Sequence, residues 1–531
     1  MKRLLGAFMV LAASVPMAML ARSSVRGFAV ALPPIGPVSA SPMQAREGKI
    51  ATRLARAAAS DRNMTGADGL RKRMPLQSGG ASFHARSGID RQLAALGQPE
   101  DPFAPVYVVT SRKTYDGIRH LARTSVVRRD SIGNQLVLSE IPEHQLDALV
   151  GYIHERERRC GGYFAFDTRE RAEAFIRADR SRQAIQQSTL AGYSLDNQDT
   201  VDAWLPQVSE QNIYDTINQL QAYQNRYYAS ATGKSSAEWI RRHWQALAAG
   251  RADVSTELFT ACANCSTQPS VILTIRGIEL PNEVVVLGGH LDSINASDRN
   301  NLAQRAPGAD DDASGIATLT EVLRVAMASG WHPKRTVKFM GYAAEEVGLR
   351  GSAAIAQSFR NAGTNVVGVL QLDMTNYKSG AVTDMKLISD YSNTDLKAFF
   401  VQLFDGYLAP RGFTRSAVAC GYACSDHASW TAAGYPAAMM FEAGDPNGDF
   451  PYIHTTLDTL STMGESARNS VKFAQFGLAF LGETAKTSLW ATADCRLPPR
   501  ASLAASANLQ ASPGLISPLP RTGSHPRSSL P

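Results

Sequence analysis

The sequence predicts an α/β fold, a mixed and largely parallel β-sheet flanked by helices, preceded by a small α+β domain. Three observations carry this. From about residue 196, short apolar runs alternate with helical patterns, as in a sheet covered by helices on both faces. Four of those runs end in acidic residues or histidines, as expected where a site forms beyond the carboxyl ends of strands. A chain of 531 residues, 44% hydrophobic and 19% charged, is globular and too long for one ordinary domain.

The elements follow in order. Lys2 and Arg3 precede an apolar run from Leu4 to Ala21, and "AVALPP" (Ala29 to Pro34) supplies an A-x-A step. Residues 1–21 therefore read as a signal peptide, with cleavage somewhere in 21–40 and a periplasmic or extracellular destination. The run is also of borderline length for a membrane anchor, but Pro16 and the small residues favour export. Residues 22–104, rich in Ala, Arg, Gly, Ser and Pro, read as a linker or low-complexity pro-region. Residues 105–180 predict an α+β domain. Its strands are "VYVVT", "NQLVLSEI" and "GGYFAFD", and its helices are "TYDGIRHLAR", "PEHQLDALVGYIHERER" and "TRERAEAFIRADR". Residues 196–490 form the main α/β domain, entered through helical "IYDTINQLQAYQNRYY" and "SAEWIRRHWQALAAG". A Pro/Ser-rich tail, 491–531, reads as disordered.

Six cysteines are present: Cys160, Cys262, Cys265, Cys420, Cys424 and Cys495. Two close pairs in an exported chain suit disulfides; a redox C-x-x-C would need a strand–helix context, and "TACANCSTQPS" is a loop. The net charge of +6 is unevenly spread. Residues 196–495 carry 22 Lys and Arg against 31 Asp and Glu, a net of −9, which leaves +15 for the flanks. The flanks contain no nucleic-acid-binding module, so self-association with the acidic domain explains them at least as well.

The chemistry gathers at strand ends. "EVVVLGGH" ends in His290 and is followed by Asp292; "TVKFMGYAAEE" ends in Glu345 and Glu346. "VVGVLQLD" ends in Asp373, and "AAMMFEA" leads to a loop carrying His454. Each residue alone has an ordinary explanation, since strand-end acids often cap helices and a lone histidine is usually a satisfied polar group. Asp312 or Ser314 suits the cap of the helix with apolar Ile316, Leu319, Leu323 and Ala326. Together, two histidines and several acids at one edge suit zinc, which takes nitrogen and oxygen ligands. Asp310, Asp311 and Asp312 stand in a row, and their repulsion asks for cations nearby. One carboxylate can bridge two metal ions, and of the adjacent Glu345 and Glu346 one can ligate while the other acts as general base.

"GGHLDS", "PGADDDASGIA", "YAAEEVGLRGS", "LQLDMTNY", "CGYACSDHASW" and "IHTTLDT" resemble the M28 family of zinc aminopeptidases, over about residues 196–490. The resemblance implies the zinc exopeptidase-like fold and two zinc ions per chain. It implies His290 with Asp373 on one ion, Glu346 with His454 on the other, and Asp311 as the bridge, followed by a cis peptide. It further implies Glu345 as general acid/base, Asp292 holding the His290 imidazole, and a disulfide between Cys420 and Cys424. From spacing alone those cysteines could instead form a zinc knuckle with His427. Tyr422 resembles a residue at the substrate pocket, and Met374, Ile388, Met439, Phe441 and Ile453 match an apolar specificity pocket; as core residues of strands they have an equally plain reading. The loop "INASDRNNLAQRA" departs from the family pattern.

The expectation is thus a secreted, monomeric metallo-aminopeptidase that removes large apolar residues such as Leu from peptide or protein N-termini. Its 105–180 domain is expected to act as an intramolecular propeptide, inhibitor and chaperone, with a basic face docked on the acidic domain. No nucleic-acid partner is expected, and no membrane once the signal is removed. The rival readings are a glutaminyl cyclase on the same scaffold and a non-catalytic binding protein.

Overall fold

In the computed structural model, residues 103–488 are described, apart from 158, 160, 187–191, 298–300, 381 and 443–449. The signal, residues 22–102 of the linker segment, Cys160, Cys495 and the 491–531 tail lie outside them. Among the described residues no helix is long and apolar enough to cross a membrane.

Residues 105–186 hold a four-stranded antiparallel sheet in the order β2-β3-β1-β4. The strands are β1 (Pro105–Ser111), β2 (Thr124–Arg129), β3 (Gln135–Pro142) and β4 (Tyr163–Phe166). Helices α1 (Arg112–Ile118), α2 (Leu146–Tyr152), α3 (Arg169–Ala178) and α4 (Ser181–Gln186) accompany it. Strand β2 has no counterpart among the sequence expectations, because its alternation in "TSVVRR" leaves only partly buried side chains on one face. The helix expected through "PEHQLDALVGYIHERER" is regular only from Leu146 to Tyr152 and widens into a π-turn at Ile153–Glu157.

An eight-stranded sheet follows in the order β11-β10-β12-β9-β7-β8-β6-β5. Its strands are β5 (Val254–Phe259), β6 (Ser270–Ile275), β7 (Leu280–His290), β8 (Arg335–Tyr342), β9 (Asn365–Leu372), β10 (Met385–Ile388), β11 (Arg415–Val418) and β12 (Ala437–Phe441). The central four, β12, β9, β7 and β8, are mutually parallel, so their carboxyl ends share one edge. Antiparallel pairing returns outside them, β6 on β8 and β10 on β12.

The helices of this part are α5 (Gln198–Trp204), α6 (Glu210–Gln221), α7 (Ala231–Leu247), α8 (Ala313–Ala328), α9 (Arg350–Asn361), α10 (Thr394–Leu403), α11 (His427–Ala432) and α12 (Arg468–Ala485). Helix α8 is buried on nearly every side, because α6 and α12 cover the faces that the sheet leaves open. Asp312 caps it, its carboxylate accepting from Gly315 N at 2.8 Å. The bond between Asp311 and Asp312 is cis. Both close cysteine pairs are disulfides, Cys262–Cys265 and Cys420–Cys424. The zinc-knuckle reading with His427 therefore fails, since each thiolate ligand is spent on a sulfur–sulfur bond.

Candidate metal centre

Each central strand delivers its residues to the shared edge. Strand β7 ends on His290, β8 runs into Ala343–Glu346, β9 into Asp373, and the loop after β12 returns with His454. Three turns are forced by left-handed backbone at non-glycine residues: Ala344 (φ 57°) before the glutamate pair, Met374 (φ 54°) after Asp373, and His454 itself (φ 58°). Such backbone costs energy and gathers where a site demands a particular side-chain direction.

The side chains meet around Asp311. Its Oδ1 lies 2.9 Å from His290 Nε2, and its Oδ2 lies 3.0 Å from His454 Nε2. His290 Nε2 also faces Asp373 Oδ1 at 3.6 Å, and His454 Nε2 faces Glu346 Oε2 at 3.0 Å. One carboxylate thus stands between two imidazole–carboxylate pairs. All five residues are buried. Asp311 Oδ2 and Asp373 Oδ1 accept no hydrogen bond. Buried carboxylate oxygens of that kind are costly unless a cation takes them. The donor set, imidazole nitrogens with carboxylate oxygens, fits divalent zinc.

Glu345 is buried next to Glu346, and its Oε1 makes no hydrogen bond. Burial pushes its carboxyl well above the usual range, reinforced by Asp426, Glu346 and Asp373. Burial likewise brings Glu346 up to about 7. For Asp311 burial alone would do the same, but the two imidazoles facing it, those of His290 and His454, hold it below the usual carboxylate range.

Supporting bonds tie each of these loops to the next. Asp292 accepts from Glu345 N (2.9 Å) and Glu346 N (3.1 Å), and its carboxylate lies 3.5 Å from His290 Nδ1. The nearer partner of that nitrogen is the Asp292 carbonyl, at 3.1 Å. Besides capping α8, Asp312 accepts from His290 N at 2.9 Å and Met374 N at 3.1 Å. Asp310 accepts from Asn376 N at 3.0 Å. The three adjacent acids therefore have separate tasks.

Three contributors had no role in the sequence reading. The Asp458 carboxylate accepts from Asp310 N (2.8 Å) and Asp311 N (3.1 Å), joining the His454 loop to the aspartate loop. Ser425 Oγ donates to Asp373 Oδ2 at 2.6 Å. Glu442 accepts from Tyr377 N and Phe450 N, both at 2.9 Å. All three fall inside or beside the motif text, so their only signal was proximity.

The six candidate pocket residues do not form one wall. Met374 and Ile453 pack with Phe450, and Ile388 and Met439 pack with Cys424; Phe441 touches both groups. Tyr422 faces the N-terminal sheet instead, edge-on to Phe164 with ring centroids 5.7 Å apart.

Comparison with known proteins places the fold in a family. Residues 270–477 match the model of peptidase family M28. Leucine aminopeptidase 1 of Trichophyton equinum is 35% identical over 305 residues, covering 55% of this chain and 79% of its own. The Legionella pneumophila LapA aminopeptidase is 26% identical with a TM-score of 0.60, over 72% of this chain and 98% of that one. LapB of the same organism gives 27% and 0.59, over 72% and 99%. With its strand-end histidines and buried acids beside these relatives, the chain belongs to peptidase family M28 and is a metallo-aminopeptidase.

Proposed function

We propose that the protein is an exported dizinc aminopeptidase that releases N-terminal residues, large apolar ones such as Leu in preference, from peptides and proteins. The observation that carries this is the Asp311 carboxylate shared between the His290–Asp373 and His454–Glu346 pairs. His290 and Asp373 would hold one zinc ion, Glu346 and His454 the other, with Asp311 between them. Bound there, zinc supplies Lewis-acid polarisation of the scissile carbonyl and a water of lowered pKa. Glu345 takes the proton of the attacking water and returns it to the leaving amine, a role suited to a buried carboxyl held above its ordinary range. Met374, Phe441 and Ile453 border the site and favour apolar side chains by a graded margin, roughly 1–3 kcal/mol per methylene.

The chain acts as a monomeric precursor in this reading, with residues 105–180 as its own inhibitor. Residues of that region touch loops beside the centre. His154 lies against His454 with ring centroids 5.6 Å apart, and Tyr163 donates its hydroxyl to the Glu346 carbonyl at 3.0 Å. Arg159 Nη1 donates to the Tyr422 carbonyl at 2.6 Å, and Gly162 N to the Ala423 carbonyl at 2.5 Å. These contacts reach the His454 and Glu346 loops and the neighbouring Tyr422–Ala423 turn.

The deciding experiment is Glu345→Gln in the processed enzyme. The variant should keep its fold and two zinc ions per chain, and lose about 10²–10⁴-fold in kcat on a leucyl amide. Survival of activity would remove Glu345 from the role of base.

A further inference from the structure

A cluster of buried acids needs positive charge, and one source is the protein itself. Arg226 lies between α6 and α7, in the "NRYY" stretch, and is 1% exposed. Its guanidinium donates from Nε to the Leu291 carbonyl at 3.0 Å, from Nη1 to Pro307 O at 2.5 Å and from Nη2 to Gly308 O at 2.8 Å. Longer contacts reach Leu220 O and Asp311 O, each at 3.5 Å. The backbone of Arg226 is fixed as well, its N–H donating to Ser293 Oγ at 3.0 Å and its carbonyl accepting from Gln268 Nε2 at 3.0 Å.

One planar fork therefore spans two loops. Leu291 follows ligand His290, and Pro307, Gly308 and Asp311 belong to the loop that carries the bridging carboxylate. A lysine carries its three donors on a single nitrogen and lacks the rigid planar fork whose separate nitrogens reach both loops. Gly308 makes room for the fork: a Cβ there would stand 2.9 Å from Arg226 Nη2. On its other side the same aspartate loop is held by Asp458 through the amides of Asp310 and Asp311. Burial lowers the guanidinium's pKa, and Asp458, Asp312, Asp311 and Asp292 oppose that fall.

We propose that Arg226 is a positioning residue for the metal centre, bracing the His290 loop against the Asp311 loop so that both ligands meet one ion. This rests on the zinc reading given above, so zinc per chain of the wild-type protein is measured first. A wild-type chain that holds no zinc overturns that reading itself. With the wild type loaded, Arg226→Lys and Arg226→Met are compared by chelator competition, by kcat and KM at saturating zinc, and by the melting temperature of the metal-free form. Both variants should bind zinc about 10–100-fold more weakly, with KM near wild type once zinc is saturating. A merely structural role lowers the melting temperature and leaves zinc affinity unchanged, and that pattern overturns the proposal. Arg226→Lys keeps the charge and most of the stem, so it decides the matter even if Arg226→Met does not fold.

Discussion

Single side chains in this molecule are set by what surrounds them, and His427 shows the sign of the effect. It opens α11, is fully buried, and among the described residues Nε2 has Cys424 Sγ at 4.0 Å as its polar neighbour. Burial pushes its imidazole down to about 4. The unfolded chain, with an ordinary histidine near 6.5, takes up a proton in a range where the folded chain does not. The contribution of neutral His427 to stability is therefore present above pH 6.5 and lost as pH falls towards 4. Between pH 7 and pH 4 the wild type should lose about 3 kcal/mol relative to His427→Leu, from the linkage between those two values. Unfolding of the two metal-free proteins by denaturant across that range measures it. Parallel stability curves would show that His427 is not the buried neutral group described here.

At the scale of elements, the loops that carry the ligands are held more tightly than helix propensity alone would require. Gly315 lies in the first turn of α8, where replacing glycine by alanine ordinarily stabilises by about 0.4–1 kcal/mol. Here a Cβ would stand 2.3 Å from Asp312 Oδ1 and 2.5 Å from the Leu372 carbonyl. Asp312 is also the acceptor for His290 N and Met374 N, so it cannot move aside without loosening the ends of β7 and β9. Gly315→Ala should therefore destabilise by ~1–3 kcal/mol, as overpacked cores do, and should weaken zinc binding as well. A variant as stable as wild type in thermal unfolding, with unchanged metal affinity, would contradict the crowding. These elements also show how far the text could be read. The strands β7, β8, β9 and β12 were legible because each is a largely apolar run that leads into a candidate site residue, directly or through the following loop. Strand β2, half exposed at a sheet edge, lacked that pattern. The cross-links made by Asp458 and Ser425 depend on distances across loops, which no local periodicity encodes. Arg226, with its carbonyl partners on Leu291, Pro307 and Gly308, is invisible for the same reason.

For the molecule as a whole, the uneven charge suggested a basic N-terminal face held on an acidic domain by electrostatics, and the contacts have another character. Val106, Ile118, Leu146, Tyr163 and Ala165 share one apolar cluster with Tyr227, Ala229, Ile294, Ala343 and Val347 of the main domain. An ion pair between the two parts runs opposite to the expectation, with Arg350 of the main domain 3.6 Å from Glu143. Apolar burial does not weaken when charges are screened, whereas exposed ion pairs fade once the screening length falls to about 3 Å at 1 M salt. If residues 105–180 inhibit by covering the centre, 1 M NaCl should leave the activity of the full chain low. Limited proteolysis that removes this region should raise activity. Gly161→Val should raise it several-fold without cleavage, because Gly161 sits at φ +56° and a Cβ would stand 2.6 Å from the Ala423 carbonyl, prising the stretch from Tyr422 and Ala423. Each is measured as turnover of a leucyl amide at equal zinc content. Activation by salt alone would restore the electrostatic picture of docking, and a full chain as active as its cleaved form would remove the inhibitory role altogether.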